Sequence, residues 1–163
     1  MFLWDIYHDK KIIKDGIVPE EFVYSSKGYM PQCEGISPTG KVYAHIAGID
    51  LVEGKDDNWY VLEDNLRIPS GASYPMIARK ITRKVSPSTF ADNAVADNRD
   101  YADLLRDMMD DMNEDRGIAV ILTPGRYNSA FFEHSYLAEK TGATLAYPGD
   151  LFVEDDKVYY GGM

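Results

Sequence analysis

The chain reads as an α+β protein: a lobe built on an antiparallel β-hairpin with helices around it, followed by a smaller β-α-β piece. Three observations predict this. Two apolar, partly β-branched runs, VYAHIAGIDLV (42–52) and WYVLEDNLRI (59–68), flank the polar segment EGKDDN (53–58), as hairpin strands flank a loop. Stripes of apolar residues at helical spacing lie on both sides of that pair. Past Gly117 the pattern becomes a short continuous apolar run, a loop, a helix and a second short run, the order of a β-α-β unit.

Taken in order, Phe2, Leu3, Ile6, Ile12 and Ile13 make a loose stripe that predicts one helix ending near Gly16. Pro19 with Glu20 and Glu21 opens a short helix, because proline suits the first turn and acids suit its positive dipole end. Residues 25–40 are rich in Ser, Gly and Pro and predict loop, and the hairpin fills 42–68. A helix is predicted over 74–85, with Met76, Ile77 and Ile81 on one side. Its cations Arg79, Lys80, Arg83 and Lys84 suit a solvated face, with attraction of an anionic substrate as the rival reading. Residues 86–98 show no period and read as a linker or mobile loop. Tyr101, Leu104, Leu105, Met108, Met109 and Met112 predict an amphipathic helix stopped near Gly117, its methionines filling core and its aspartates solvated. Residues 118–122 read as a buried strand, 130–141 as a helix ended by Gly142, and 144–147 as a strand parallel to the first. Residues 151–153 and 157–160 suggest a terminal hairpin. A boundary is expected within 95–116, with one lobe over 1–95 and a second, Rossmann-like one over 96–163.

With 163 residues, 45% hydrophobic and 27% charged, the chain can bury the core of one domain or two small lobes. Its net charge of −10 argues against a nucleic-acid partner. One cysteine, Cys33, excludes an internal disulfide; with no export signal visible, a reducing cytoplasm is expected. MFLWDIYHDKK (1–11) is too short and too charged to span a membrane, and no later run is long enough.

The hairpin carries the chemistry. Side chains alternate along a strand, so Glu63, Asn65 and Arg67 share a face with Trp59 and Val61. With 53–58 as the loop, Val52 closes against Trp59, and Asp50 falls opposite Val61, diagonal to Glu63. Two carboxylates, an amide oxygen and a guanidinium then meet on one patch. Mg²⁺ (or Mn²⁺) takes oxygen ligands, commonly one or two carboxylates plus substrate phosphates. An arginine beside it can grip a phosphoryl group. A merely polar, solvated hairpin face is the plain alternative. Against it, Asp50 is the one acid in the run 44–52, and an unpaired acid in such a strand needs a reason.

Two loops are further candidates. IPSGAS (68–73) leaves the acidic strand beside Arg67; Ser70, Gly71 and Ser73 offer hydroxyls and a close backbone to phosphate or substrate, or simply form a turn. TPGRYNS (123–129) feeds a helix N-terminus, with Asn128 or Ser129 as its cap. Backbone N–H groups at such places bind anions, which makes Arg126, Tyr127, Asn128 and Ser129 substrate-binding candidates against a plain capped helix. His8, His45 and His134 have no second His or Cys at ligand spacing, which argues against zinc. Cys33 has no evident base beside it.

HIAGIDLV (45–52), YVLEDNLRIPSGASY (60–74) and LTPGRYNSAFFEH (122–134) resemble the circularly permuted ATP-grasp proteins, a group similar to glutathionylspermidine synthase and other carbon–nitrogen ligases. The resemblance runs from FLWDIYHDKKIIKDGIVP (2–19) to DLFVEDDKVYY (150–160). It implies half of an ATP-grasp core, followed by the small Rossmann-like piece. It implies ATP-dependent amide or peptide bond formation through an acyl phosphate, from a small-molecule or peptide carboxylate and an amine. By position, Asp50, Glu63 and Asn65 hold the magnesium of ATP, and Arg67 contacts phosphate or the acyl phosphate as the catalytic residue. Family members are longer and continue into a lobe that covers ATP with basic residues and a glycine-rich loop. The segments SPTGK, IPSGAS and TPGRYNS do not form a phosphate-loop pattern. The sequence is therefore expected to be a fragment or truncated gene, inactive alone, that self-associates through an uncovered lobe interface. The alternative is a non-catalytic module that binds metal or a partner chain. A metal-dependent hydrolase using Asp50 and Glu63 ranks below both, because no histidine base is placed beside them.

Overall fold

Residues 2–113 and 117–161 are described by the structure, a computed structural model. Helices combine with three separate two-stranded sheets among these residues, an α+β composition. Contacts divide the chain into two compact units, Met1–Arg67 and Ile68–Met163. Both sides of the boundary expected between residues 95 and 96 therefore fall in the second unit. There the Arg79 guanidinium donates to the carbonyls of Val95 and Ala96.

The first unit opens with two helices rather than one, α1 (Phe2–Tyr7) and α2 (Lys11–Lys14). Lys10 turns left-handed between them, at φ 55°. Asp5 spans the break, accepting the backbone N–H groups of Lys11 at 3.0 Å and Ile12 at 2.9 Å, two donors that a helix start otherwise leaves unpaired. Led by the Ile12 N–H, these partners hold the Asp5 carboxyl below its ordinary value. The apolar stripe runs on through the break, so periodicity does not reveal it. Pro19 precedes α3 (Glu20–Tyr24) as expected, and two single turns, Pro31–Cys33 and Thr39–Lys41, punctuate the loop after it. Tyr7 stacks on Tyr29 and Tyr43, and Ile6 is buried. The hairpin, β1 (Gly48–Glu53) and β2 (Trp59–Asn65), closes this unit; its first strand starts later than expected.

The second unit starts with α4 (Ser73–Val85). The expected linker contains a short helix, α5 (Pro87–Asp92), begun by Pro87 and by the paired hydroxyls of Ser86 and Thr89. Next come α6 (Asp100–Asn113), β3 (Val120–Leu122), α7 (Phe131–Thr141) and β4 (Thr144–Ala146). The expected stop of α6 near Gly117 crosses residues 114–116, outside the described residues. β3 and β4 pair in parallel, and β5 (Leu151–Glu154) pairs antiparallel with β6 (Lys157–Tyr160).

Helix α7 is the organiser, packing on α4, α6, β3 and β4. Met76, Ala102, Ala138, Ala143 and Ala146 are the buried apolar residues of this core. Its C-terminus ends at Gly142, left-handed at φ 72°, where Arg106 from α6 donates to the Thr141 carbonyl. β3 is less buried than its sequence suggests: Leu122 is 52% exposed, because the strand has one neighbour and a helix on one side. The methionines at 108 and 109 are half-buried, and Met112 and Leu104 are exposed.

Candidate functional site

The hairpin register differs from the simple expectation in two places. Its loop is 54–58, one residue shorter than expected, so Glu53 pairs with Trp59 and Val52 with Tyr60. Local bonds fix that loop. The Gly54 N–H donates to the Asn58 carbonyl at 2.8 Å, and Asp57 is left-handed at φ 58°. The Asp56 carboxylate accepts from the Asn58 amide and the Tyr60 hydroxyl, both at 2.7 Å. Asn58 first, and then Tyr60, hold the Asp56 carboxyl down to about 2.

A regular ladder continued from this loop would set Asp50 against Leu62 and turn it away from Glu63. The register shifts instead: Leu51 pairs with Val61, and Asp50 pairs with Glu63. Leu62 is the extra residue of a bulge. The two one-residue offsets add to two, which restores the face, and Asp50 lies directly opposite Glu63 rather than Val61. Side chains of directly opposed residues share a face, with Cβ atoms about 4.5–5.5 Å apart. Asn65 Nδ2 donates to Glu63 Oε1 at 3.2 Å, which leaves the Asn65 oxygen free of that bond. Asp50, Glu63 and Asn65 are all exposed. The donors are two carboxylates and an amide oxygen, a hard set that suits Mg²⁺ or Mn²⁺. Among the described residues no three His, Cys, Asp or Glu side chains are grouped so that they could together hold a metal ion. β2 ends at Asn65, so strand alternation does not carry Arg67 onto this face; Arg67 is exposed two residues past the strand end. Ile68 beside it sits at φ 96°, a conformation β-branched residues seldom adopt.

In the 68–73 loop, two of the three residues expected to face phosphate, Gly71 and Ser73, are already bonded. Ser73 is fully buried. Its hydroxyl donates to Glu133 Oε2 at 2.7 Å and its N–H to the same atom at 3.0 Å, while the Gly71 N–H donates to Oε1 at 2.6 Å. Glu133 comes from the first turn of α7 and is 4% exposed. The residue before α4 is Ala72, which has no capping side chain, and Glu133 supplies the missing acceptor from another helix. Burial pushes the Glu133 carboxyl up, but the Ser73 hydroxyl and the Gly71 and Ser73 N–H groups outweigh it and leave it below its ordinary value. Sequence reasoning missed Glu133. Its signal was an acid between Phe132 and His134 in an otherwise apolar first turn, paired with a helix that has no cap of its own. Ser70 keeps an exposed side chain.

The 123–129 loop is anchored at its base. Thr123 is fully buried; its Oγ1 accepts the Gly125 N–H at 3.2 Å and bonds His134 Nδ1 at 2.9 Å. Gly125 sits at φ 108°, a value that favours glycine. Arg126, Tyr127, Asn128 and Ser129 stand exposed together, Tyr127 at 98%. Neither Asn128 nor Ser129 caps the helix. The Asn128 oxygen accepts the Ala130 N–H at 2.9 Å in a turn of its own, and Ala130 precedes α7.

The chain is 45% identical over 161 residues to an uncharacterized protein of Mycobacterium tuberculosis, covering 97% of this chain and 29% of that protein. It is 41% identical over 157 residues to an uncharacterized protein of Synechocystis, covering 94% and 33%. It is 38% identical over 164 residues, covering 98% and 19%, to a Frankia casuarinae protein named "Putative glutamate--cysteine ligase 2-2". The chain thus spans 19–33% of the length of these relatives. Residues 1–163 match the family described as "A circularly permuted ATPgrasp", and the chain belongs to that family.

Proposed function

We propose that this chain carries the metal-holding part of an ATP-grasp core, and that the whole protein is an ATP-dependent carboxylate–amine ligase. One observation supports this above the rest: Asp50 and Glu63 are cross-strand partners, with Asn65 bonded to Glu63. In this reading the three residues hold Mg²⁺ (or Mn²⁺), which when bound offsets the phosphate charge of ATP. The carboxylates supply the negative charge, and the hairpin ladder sets their spacing. The Asn65 amide orients Glu63 and keeps its own oxygen for the ion. Arg67 grips phosphoryl oxygens or the acyl phosphate. The Ser70 hydroxyl offers phosphate one more donor. The loop Arg126, Tyr127, Asn128 and Ser129 takes part of the substrate, with a guanidinium suited to a carboxylate.

The reaction class is transfer of the γ-phosphoryl group of ATP to a carboxylate, then attack by an amine that expels phosphate and leaves an amide. The acid and amine are small molecules or peptides. The β3-α7-β4 unit is read as a Rossmann-like lobe beside the core. The single thiol, Cys33, suits a reducing cytoplasm. No helix among the described residues is long and apolar enough to cross a membrane.

Thermal unfolding with Mn²⁺ tests the assignment. A ligand at a hundredfold excess over its Kd stabilises by about 2.7 kcal/mol. Mn²⁺ should raise the Tm of the wild type, and Glu63→Gln should abolish most of that rise. If Glu63→Gln leaves the metal response intact, the ligand assignment is wrong.

A further inference from the structure

Six of the 17 Lys and Arg residues in this acidic chain line one cavity of the second unit. Arg79, Lys80, Arg83 and Lys84 come from α4, Arg99 from just before α6, and Lys140 from α7. Asp103 is the one acid in the lining. The cavity holds about 660 Å³, within the roughly 300–1,000 Å³ typical of small-molecule sites. Its wall includes buried Met76 and Ala102 and the ring of Tyr136, which give it an apolar side.

Half of these cations have structural work. Arg79 holds the backbone at Val95 and Ala96, Arg99 pairs with Asp97, and Lys140 pairs with Glu139 at 2.7 Å. Lys80, Arg83 and Lys84 have no ion-pair partner among the described residues. Lys80 stands three residues from Arg83 and four from Lys84 on one helix, where like charges repel. The wall also includes Asn98, whose Oδ1 is buried without a hydrogen-bond partner among the described residues.

We propose that this cleft binds a small organic molecule with two or more clustered oxyanion groups, through residues none of which belongs to the carboxylate pair on the hairpin. Lys80, Arg83 and Lys84 take the anionic groups, and Met76 and Tyr136 receive the apolar body. Phosphate esters and polycarboxylates share this chemistry. The small volume and the single-sided apolar wall favour such a molecule over an extended acidic chain.

Titration calorimetry of the 163-residue chain, stripped of metal on a chelating resin and at constant ionic strength, tests this with tripolyphosphate in one arm and citrate in the other. At least one should bind with one-to-one stoichiometry, and the arm that binds names the source of the oxyanions. Lys80→Gln, Arg83→Gln and Lys84→Gln combined should weaken binding by roughly a hundredfold, at about fivefold for each unit charge near 4 Å in water. The single variant Arg83→Gln should give about one such step. Glu63→Gln should bind as the wild type does, which keeps the outcome distinct from the fate of the hairpin reading. Absence of binding in both arms overturns the proposal, as does equal binding by the combined variant. Self-association abolished by the same three substitutions, without polyanion binding, would assign the cleft to an acidic protein surface and overturn it too.

Discussion

Glu133→Ala removes the acceptor on which the start of α4 depends. Three donors converge on that carboxylate: the N–H groups of Gly71 and Ser73 and the Ser73 hydroxyl. An unsatisfied buried donor costs about 1–3 kcal/mol. The three share one loop that can open to water, so their costs do not add in full, and we expect a total loss of about 3–5 kcal/mol. Glu133→Gln keeps one acceptor oxygen but turns an NH₂ toward a donor, and should cost about 2 kcal/mol. Both tryptophans, Trp4 and Trp59, lie in the first unit, so tryptophan fluorescence does not report directly on the second. Urea titration followed by far-ultraviolet circular dichroism reads it, together with hydrogen exchange at the Gly71 and Ser73 amides. The sign with pH follows from the depressed carboxyl. Its contribution is full above the unfolded value, about 4.3, and is lost as pH falls through the lower folded value. The gap between wild type and Glu133→Gln should therefore close on acidification. A Glu133→Ala chain within about 0.5 kcal/mol of wild type, the ordinary range for a surface change, would refute the reasoning.

Other outcomes follow from the hairpin. A Cβ at Gly54 would meet Asp56 Oδ1 and Tyr60 Cε2, both at 2.6 Å, so Gly54→Ala should cost about 1–3 kcal/mol, read by Trp59 fluorescence in urea. Carboxyl-detected NMR should titrate Asp56 near 2, and Tyr60→Phe should raise that value by removing one donor. Because its folded value is depressed, the Asp56 contribution to stability is lost as pH falls toward 2. Asp50 and Glu63 stand exposed, so the hairpin should hold MgATP weakly or not at all; tight stoichiometric binding of MgATP by a chain whose cleft cations are removed (Lys80→Gln, Arg83→Gln and Lys84→Gln) would contradict this. Trp59 and Leu62 are 65% and 68% exposed, and the chain should self-associate at high concentration; light scattering that finds only monomer counts against a covered surface there.

Period and turn chemistry made most elements legible. The hairpin, α4, α6, α7 and the parallel pairing of β3 with β4 follow from the strand and helix periods of their runs, although the hairpin itself is exposed along nearly its whole length. Asp50 and Glu63 were placed on one patch through a register that is itself wrong by one residue at the loop. The bulge at Leu62 leaves no mark in composition, because its apolar side chain continues the strand pattern. The break at Lys10 is hidden in the same way, since Asp5 acts through bonds that periodicity does not encode. Short α5 was invisible because six residues give too few turns for a stripe. The assignment of Gly71 and Ser73 to phosphate failed to foresee Glu133, a partner 60 residues from Ser73, because local turn chemistry cannot name a long-range acceptor.

That separation has a consequence for how the molecule is made. Helix α4 leaves the ribosome well before the residue that caps it. At synthesis rates of about 5–20 residues per second, 60 residues take roughly 3–12 s. A lone helix of 13 residues is marginal in water, so during that interval α4 is nascent rather than formed. Its N-terminus settles when α7 arrives, and any arrest of translation before residue 133 leaves the segment after Arg67 without its lock.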